Sequence, residues 1–102
     1  VSDPQPVLAA LADPTRRAVF ERLNSKGPAS ASKLASELPV SRQAIAKHLT
    51  LLDSVGLVAR AQKGREVVYS ASVGPLTEVT VWLEEVGADW DVRLERLRQS
   101  FQ

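Results

Sequence analysis

The 102 residues predict a mainly α-helical chain with one small β-hairpin, in the order helix, helix, helix, helix, strand, strand, helix. Three observations predict it. The stretch PVSRQAIAKHLTLLDSVGLV, residues 39 to 58, sorts into a polar and an apolar side when wound at about 100° per residue. Two runs of strand composition, LVARAQ and EVVYSA, flank KGR, the mark of a hairpin with a glycine turn. In the last quarter, Leu76, Val79, Leu83, Val86, Trp90, Leu94, Leu97 and Phe101 recur at steps of three or four and fall within roughly 80° of one another.

The elements follow in order. VSDPQPV holds two prolines and reads as an irregular lead-in, after which Val7 to Ala12 can make two helical turns. DPTRRAVFERLNSKGP reads as a helix with clear ends: Asp13 caps it, Pro14 suits the first helical position and Gly27-Pro28 stops it. Its inward residues are Val19, Phe20 and Leu23. Ser30 or Ser32 caps a third helix that reaches about Leu38 and ends at Pro39. Ser41 opens the fourth helix, which runs to about Ser54 and stops at Gly56. The hairpin comes next, and Gly74-Pro75 starts the long last helix. The link between the third and fourth helices, PVS, is long enough only for a tight corner. A helix-turn-helix followed by a two-stranded wing is a winged helix-turn-helix, with residues 1–102 as a single domain.

Composition narrows the classes of function. The absence of cysteine excludes disulfides, a thiolate metal site and a thiol switch. No apolar run approaches the roughly 18 residues of a membrane span, and no signal-peptide pattern is visible, so a cytoplasmic protein without a membrane partner is expected. One histidine, no Ser/His/Asp set and no glycine-rich phosphate loop leave little machinery for an enzyme, and no cofactor is expected. The net charge of +1 hides a segregation: residues 1–73 hold ten Lys/Arg against six Asp/Glu, and residues 74–102 hold three against six. Between Ser41 and Arg65 five basic residues face Asp53 alone. That asymmetry fits a polyanion partner, although a solvated face of mixed charge would look the same.

The fourth helix has the face to meet such a partner. Starting from Arg42, the residues Asp53, Ala46, Thr50, Gln43, Ser54 and Lys47 lie within roughly 140°. Ala44, Leu51, Val55, His48, Leu52, Ile45 and Leu49 fill the packing side. Reading base edges in the major groove of double-stranded DNA requires polar and small side chains near the N-terminal end of an inserted helix, and Ser41, Arg42, Gln43, Ala46 and Lys47 supply them. Gln43 suits adenine, Arg42 guanine, and Lys47 a phosphate, with the helix N-terminus and the Ser41 hydroxyl as an anion site. Arg60, Lys63 and Arg65 gather at the wing tip, placed for phosphates or a minor groove. Thr15, Arg16, Arg17 and Lys33 can hold backbone phosphate or merely solvate the surface.

Other residues read as structure. His48 lies in the apolar side, where a ring nitrogen can reach a backbone group or a phosphate; it has no second histidine or cysteine with which to hold a metal. Trp90 belongs to the apolar stripe, whereas Trp82 at its flank is more open to a ligand. A stripe this long exceeds what a monomer of this size covers, and a partner helix across a two-fold axis would bury it.

In combination, Ser41, His48, Leu49, Leu52, Gly56 and Leu57, followed by Gly64-Arg65 and Tyr69, resemble the ArsR/SmtB family of winged-helix repressors over nearly the whole chain. The resemblance implies a homodimer whose first and last helices form the interface, through Val7, Leu8 and Leu11 with Leu83, Val86, Trp90, Leu94 and Leu97. It also implies that the fourth helix enters the DNA groove of an inverted-repeat operator to repress transcription. Metal-sensing members carry cysteines in or near the third helix or histidines on the terminal helices. Here SELPVS and a histidine-free last helix stand in those places, so no metal site is expected and any inducer stays unidentified. The competing reading is a winged-helix module that binds another protein through its long helix, without specific DNA binding.

Overall fold

The structure, a computed structural model, describes residues 3–100. Helices α1 (Gln5–Ala12) and α2 (Pro14–Lys26) meet at Asp13. The extended Asp13 accepts the Arg16 backbone N–H at 2.9 Å, and Pro14 occupies the first helical position, where its missing N–H costs nothing. Arg16 turns back so that its guanidinium donates to the carbonyls of Ala9 and Ala10, which satisfies the open end of α1. The lead-in is shorter than expected: α1 takes in Gln5 and Pro6, because proline is tolerated in a first turn.

Gly27, at φ 94°, ends α2 and donates its N–H to the Leu23 carbonyl. Strand β1 (Ala29–Ser30) follows, and then α3 (Ala31–Glu37), capped by Ser30 through the Lys33 N–H at 3.1 Å. Arg22 of α2 ties this junction together by donating to the Glu37 carboxylate and to the Gly27 carbonyl. Helix α4 (Arg42–Ser54) is capped by Ser41, which accepts the Ala44 N–H at 3.2 Å. At its far end Gly56, at φ 79°, donates to the Asp53 carbonyl while Leu57 donates to Leu52, a Schellman closure with Leu52 and Leu57 both fully buried.

Strands β2 (Val58–Lys63) and β3 (Glu66–Ala71) form the wing, joined by Gly64-Arg65. Gly64 takes φ 62° at the first turn position, where two-residue hairpins commonly need glycine. The sheet has three strands in the order β1-β3-β2, one more than expected, all antiparallel. Ala29 pairs with Tyr69 and Ser30 with Val68, so the wing is stitched to the start of α3.

The core draws on α1, α2, β1, α3, α4 and the start of β2: Val19, Phe20, Leu23, Leu34, Ile45, Leu49, Leu52 and Leu57 are its larger members. Helix α5 (Gly74–Ser100) contributes none of them. Leu76 and Val79 rest half-buried against the core, and the helix then runs on into solvent. At about 40 Å long it stretches the molecule to 67 × 28 × 20 Å. The radius of gyration, 18.2 Å, exceeds the roughly 13 Å of a rounded chain of this length. Among the described residues no helix is long and apolar enough to cross a membrane. Phe101 of the apolar stripe lies outside the described residues.

Two packing expectations are corrected. Leu51, placed on the packing side of α4, is 48% exposed, because it borders the polar sector and the core lies around Ile45, Leu49 and Leu52. Val7, placed at an interface between copies, is 4% exposed and spent in the chain's own core, whereas Leu8 remains 36% exposed and Leu11 half-buried.

Candidate nucleic-acid interface

The helix-turn-helix presents the first turns of α4 to solvent. Arg42, Gln43, Ala46 and Lys47 are all exposed, on a sector that begins with Arg42 at the edge of the buried side formed by Ile45, Leu49 and Leu52 and turns away from it through Lys47. The Schellman closure and the Ser41 cap fix both ends of the helix, and the buried trio fixes its rotation, so these side chains cannot turn inward without opening the core. The oxygen of Ser41 is occupied by the Ala44 N–H, which leaves the hydroxyl proton free to donate outward. Thr50, further along the same face, returns its hydroxyl to the Ala46 carbonyl at 3.0 Å.

A groove of about 470 Å³ opens in front of α4. One wall is the first turn of α4, with Arg42, Gln43 and Ala46; a second is the start of α3, with Ser30, Ala31 and Ser32; the third is the wing, with Arg65 of the turn and Glu66, Val67 and Tyr69 of β3. The pairing of β1 with β3 creates this corner, because it holds the capped start of α3 beside the wing. The structure thus brings Arg42, Gln43, Ala46 and Arg65 together, while Ser41, Lys47, Arg60 and Lys63 stand outside the groove.

The expected cluster of three cations at the wing tip is corrected. Arg60 pairs with Tyr69 in mid-strand, about 10 Å back from Lys63 along β2. Being three residues apart, the two point to opposite faces of the sheet, and only Lys63 and Arg65 belong to the tip.

Charge pairing separates the basic residues further. Arg22 and Lys33 pair with Glu37, and Arg16 is tied to the carbonyls of α1; that holds Arg16 back from a phosphate, whereas Lys33 stays largely exposed in a weak surface pair. Among the described residues Arg42, Lys47, Arg60, Lys63 and Arg65 have no ion-pair partner. The Arg22 guanidinium holds the Glu37 carboxyl below its ordinary value, outweighing the opposing effect of burial. The Arg16 backbone N–H does the same for Asp13; partial burial opposes it, and the charge of His48 is among the lesser contributors. His48 itself is half-buried, and its Nδ1 is enclosed without the backbone partner anticipated for it.

Sequence reasoning missed Ser32 and Tyr69 as parts of the groove. Both carried a signal, Ser32 as an alternative cap and Tyr69 in the family pattern, but neither signal spoke of the wing folding over α3. Among the described residues no three His, Cys, Asp or Glu side chains gather as a metal site.

Comparison with known proteins follows the same outline. Residues 11–61 match a family model described as a helix-turn-helix domain. The chain is 48% identical over 60 residues to the HTH-type transcriptional regulator Rv2034 of Mycobacterium tuberculosis, a match covering 59% of this chain and 55% of that relative. It is 29% identical over 77 residues to the transcriptional repressor SdpR of Bacillus subtilis, covering 76% and 84%. Among solved structures, an ArsR-like transcriptional regulator from Rhodococcus sp. RHA1 superposes with a TM-score of 0.83 at 46% identity, over 94% of this chain and 90% of that one.

Proposed function

The chain belongs to the ArsR-like family of helix-turn-helix transcriptional regulators, a DNA-binding and not a catalytic family, and we propose that it is a homodimeric repressor of the cytoplasm that binds an inverted-repeat operator. The observation that carries the DNA reading is the exposed first half of α4, where Arg42, Gln43 and Lys47 project with no ion-pair partner among the described residues. A helix so presented fits the major groove, with Gln43 against adenine and Arg42 against guanine. Ser41 and Lys47 hold the backbone on either side. Arg65, across the groove from Arg42, and Lys63 at the wing tip take further phosphates, while Arg60 in mid-strand reaches the backbone from the sheet face.

Two copies join through α5. Leu83, Trp90, Leu94 and Leu97 are each more than half exposed, in line with the half-buried Val86, and Leu8 and Leu11 of α1 extend the surface. Residues 1–102 then act as one DNA-binding unit whose terminal helices pair the copies. Pairing by a two-fold axis presents two α4 helices to one face of a duplex, which calls for half-sites about one helical turn apart. The name of the SdpR relative favours repression over activation.

The test is a gel-filtration run followed by titration of duplexes, including the protein's own promoter, at several salt concentrations. A dimer that prefers one duplex, with affinity falling steeply as salt rises, supports the reading. A monomer indifferent to DNA overturns it in favour of a protein-binding module.

A further inference from the structure

Helix α5 carries two tryptophans in different company. Trp90 has the Arg93 guanidinium 5.2 Å from its ring centre, so its face is already served by a cation. Trp82, 38% exposed, opens instead on a recess of about 640 Å³ between the segment ahead of α1 and one side of α5. Pro4, Val81 and the indole make the apolar wall, and Asp3, Glu78 and Glu85 place three carboxylates around it. The lining holds no lysine or arginine, and among the described residues none of these carboxylates is ion-paired. Asp3 is held in place by the Gln5 N–H, which donates to it at 2.9 Å.

The recess starts at the flank of the apolar stripe, with Trp82 roughly 80° from Trp90 around the helix, and extends to the far side, where Val81 and Glu85 stand roughly 140–180° from Trp90. Its acidic, aliphatic side, Val81 and Glu85, thus faces away from the stripe that a second copy would cover. Its volume falls in the range of small-molecule pockets, about 300–1,000 Å³. The chemistry selects the ligand. A small hydrated metal ion would gain nothing from Val81 and the indole. An anion would meet three negative charges. An apolar body that carries a positive charge satisfies the aromatic face, the aliphatic wall and the carboxylates together.

We propose that this recess is a binding site for a lipophilic organic cation, independent of the DNA-binding reading. The test uses the full chain at neutral pH and two probes of nearly equal shape and opposite charge, tetraphenylphosphonium and tetraphenylborate, followed by titration calorimetry. Tetraphenylphosphonium is expected to bind saturably, one per chain, with tetraphenylborate at least about tenfold weaker. Trp82→Ala and the double variant Glu78→Gln/Glu85→Gln should each weaken the cation by about tenfold or more, while Trp90→Ala changes it by less than about twofold. All four positions are off the buried core, and should Trp82→Ala fail to fold by circular dichroism, the double glutamine variant decides. Equal binding of the two probes, no saturable binding, or loss of binding in Trp90→Ala as large as in Trp82→Ala would overturn the proposal.

Discussion

The two ends of this molecule leave opposite chemistries unpartnered. In the head, formed by α1 to α4 and the sheet, most large apolar residues are buried, Leu8 and Leu51 excepted, and a set of unpaired cations stands outside around the start of α4 and the wing. In the tail, the free length of α5, no residue is buried, and leucine, valine and tryptophan stand exposed between charged residues. The head is complete as a fold and incomplete as a charge distribution. The tail is an amphipathic helix with its apolar stripe exposed along most of its length. Such a division teaches how a chain of about a hundred residues can hold the two proposed contacts apart: polyanion at one end, a second copy at the other.

The contrast can be broken most strongly by truncating one leucine at each end. Leu52→Ala removes a fully buried side chain that also closes the end of α4, and should cost about 2–5 kcal/mol in urea unfolding. Leu97→Ala, on the exposed stripe, should leave the unfolding of a dilute monomer nearly unchanged and weaken self-association in sedimentation equilibrium. Equal losses at both positions in a dilute monomer would mean that the tail is folded into the head after all.

Within the head, Arg42→Ala or Gln43→Ala should cost roughly 1–3 kcal/mol in duplex binding and relax the preference at one base pair. Lys63→Ala at the wing tip should weaken all duplexes similarly and lower the salt slope by about 1. Competition titrations over a panel of single-base variants separate the two behaviours, and a uniform loss for Gln43→Ala would move the base reading elsewhere on α4. Gly56→Ala sharpens the comparison where head and tail touch. Its left-handed φ disfavours any Cβ by about 1–2 kcal/mol, and that Cβ would stand 3.3 Å from Cγ of Pro75 at the start of α5. Thermal unfolding should show the loss.

The smallest expected effect is in acid. Asp13 and Glu37 both titrate below their ordinary values in the folded chain, so the unfolded chain binds protons first as pH falls. Their stabilisation is fully present above the unfolded values, 3.8 and 4.5, and is lost as pH drops through the lower folded values. Asp13→Asn should flatten that part of the unfolding curve with pH, while leaving a side chain that can still cap α2. A curve as steep as the parent's would assign the acid sensitivity to other groups.

How much of this was legible in the sequence depended on whether a signal was local. Asp13, Ser30 and Ser41 cap their helices as read, because capping involves a side chain and an amide three residues away. Val19, Phe20 and Leu23 are buried as read, since helical period alone selects them. Strand β1 was not legible: two residues have no period, and only the distant Val68 and Tyr69 make them a strand. For the same reason the groove shared by Ser32, Arg42 and Tyr69 could not be seen before the sheet was known. Leu51 and Val7 failed in a related way, because a helical wheel says which residues share a side but not where the centre of the core falls. The wing cations were grouped by nearness in sequence, and the alternation of β2 then set Arg60 and Lys63 on opposite faces.

Selection of bound duplexes from a random library by the purified chain, at moderate salt and with the bound species weighed, tests the division of labour between head and tail most directly. The expected result is enrichment of an inverted repeat with half-sites about one helical turn apart, held by two chains. Recovery of sequences without a shared motif, or of a single half-site held by one chain, would contradict it.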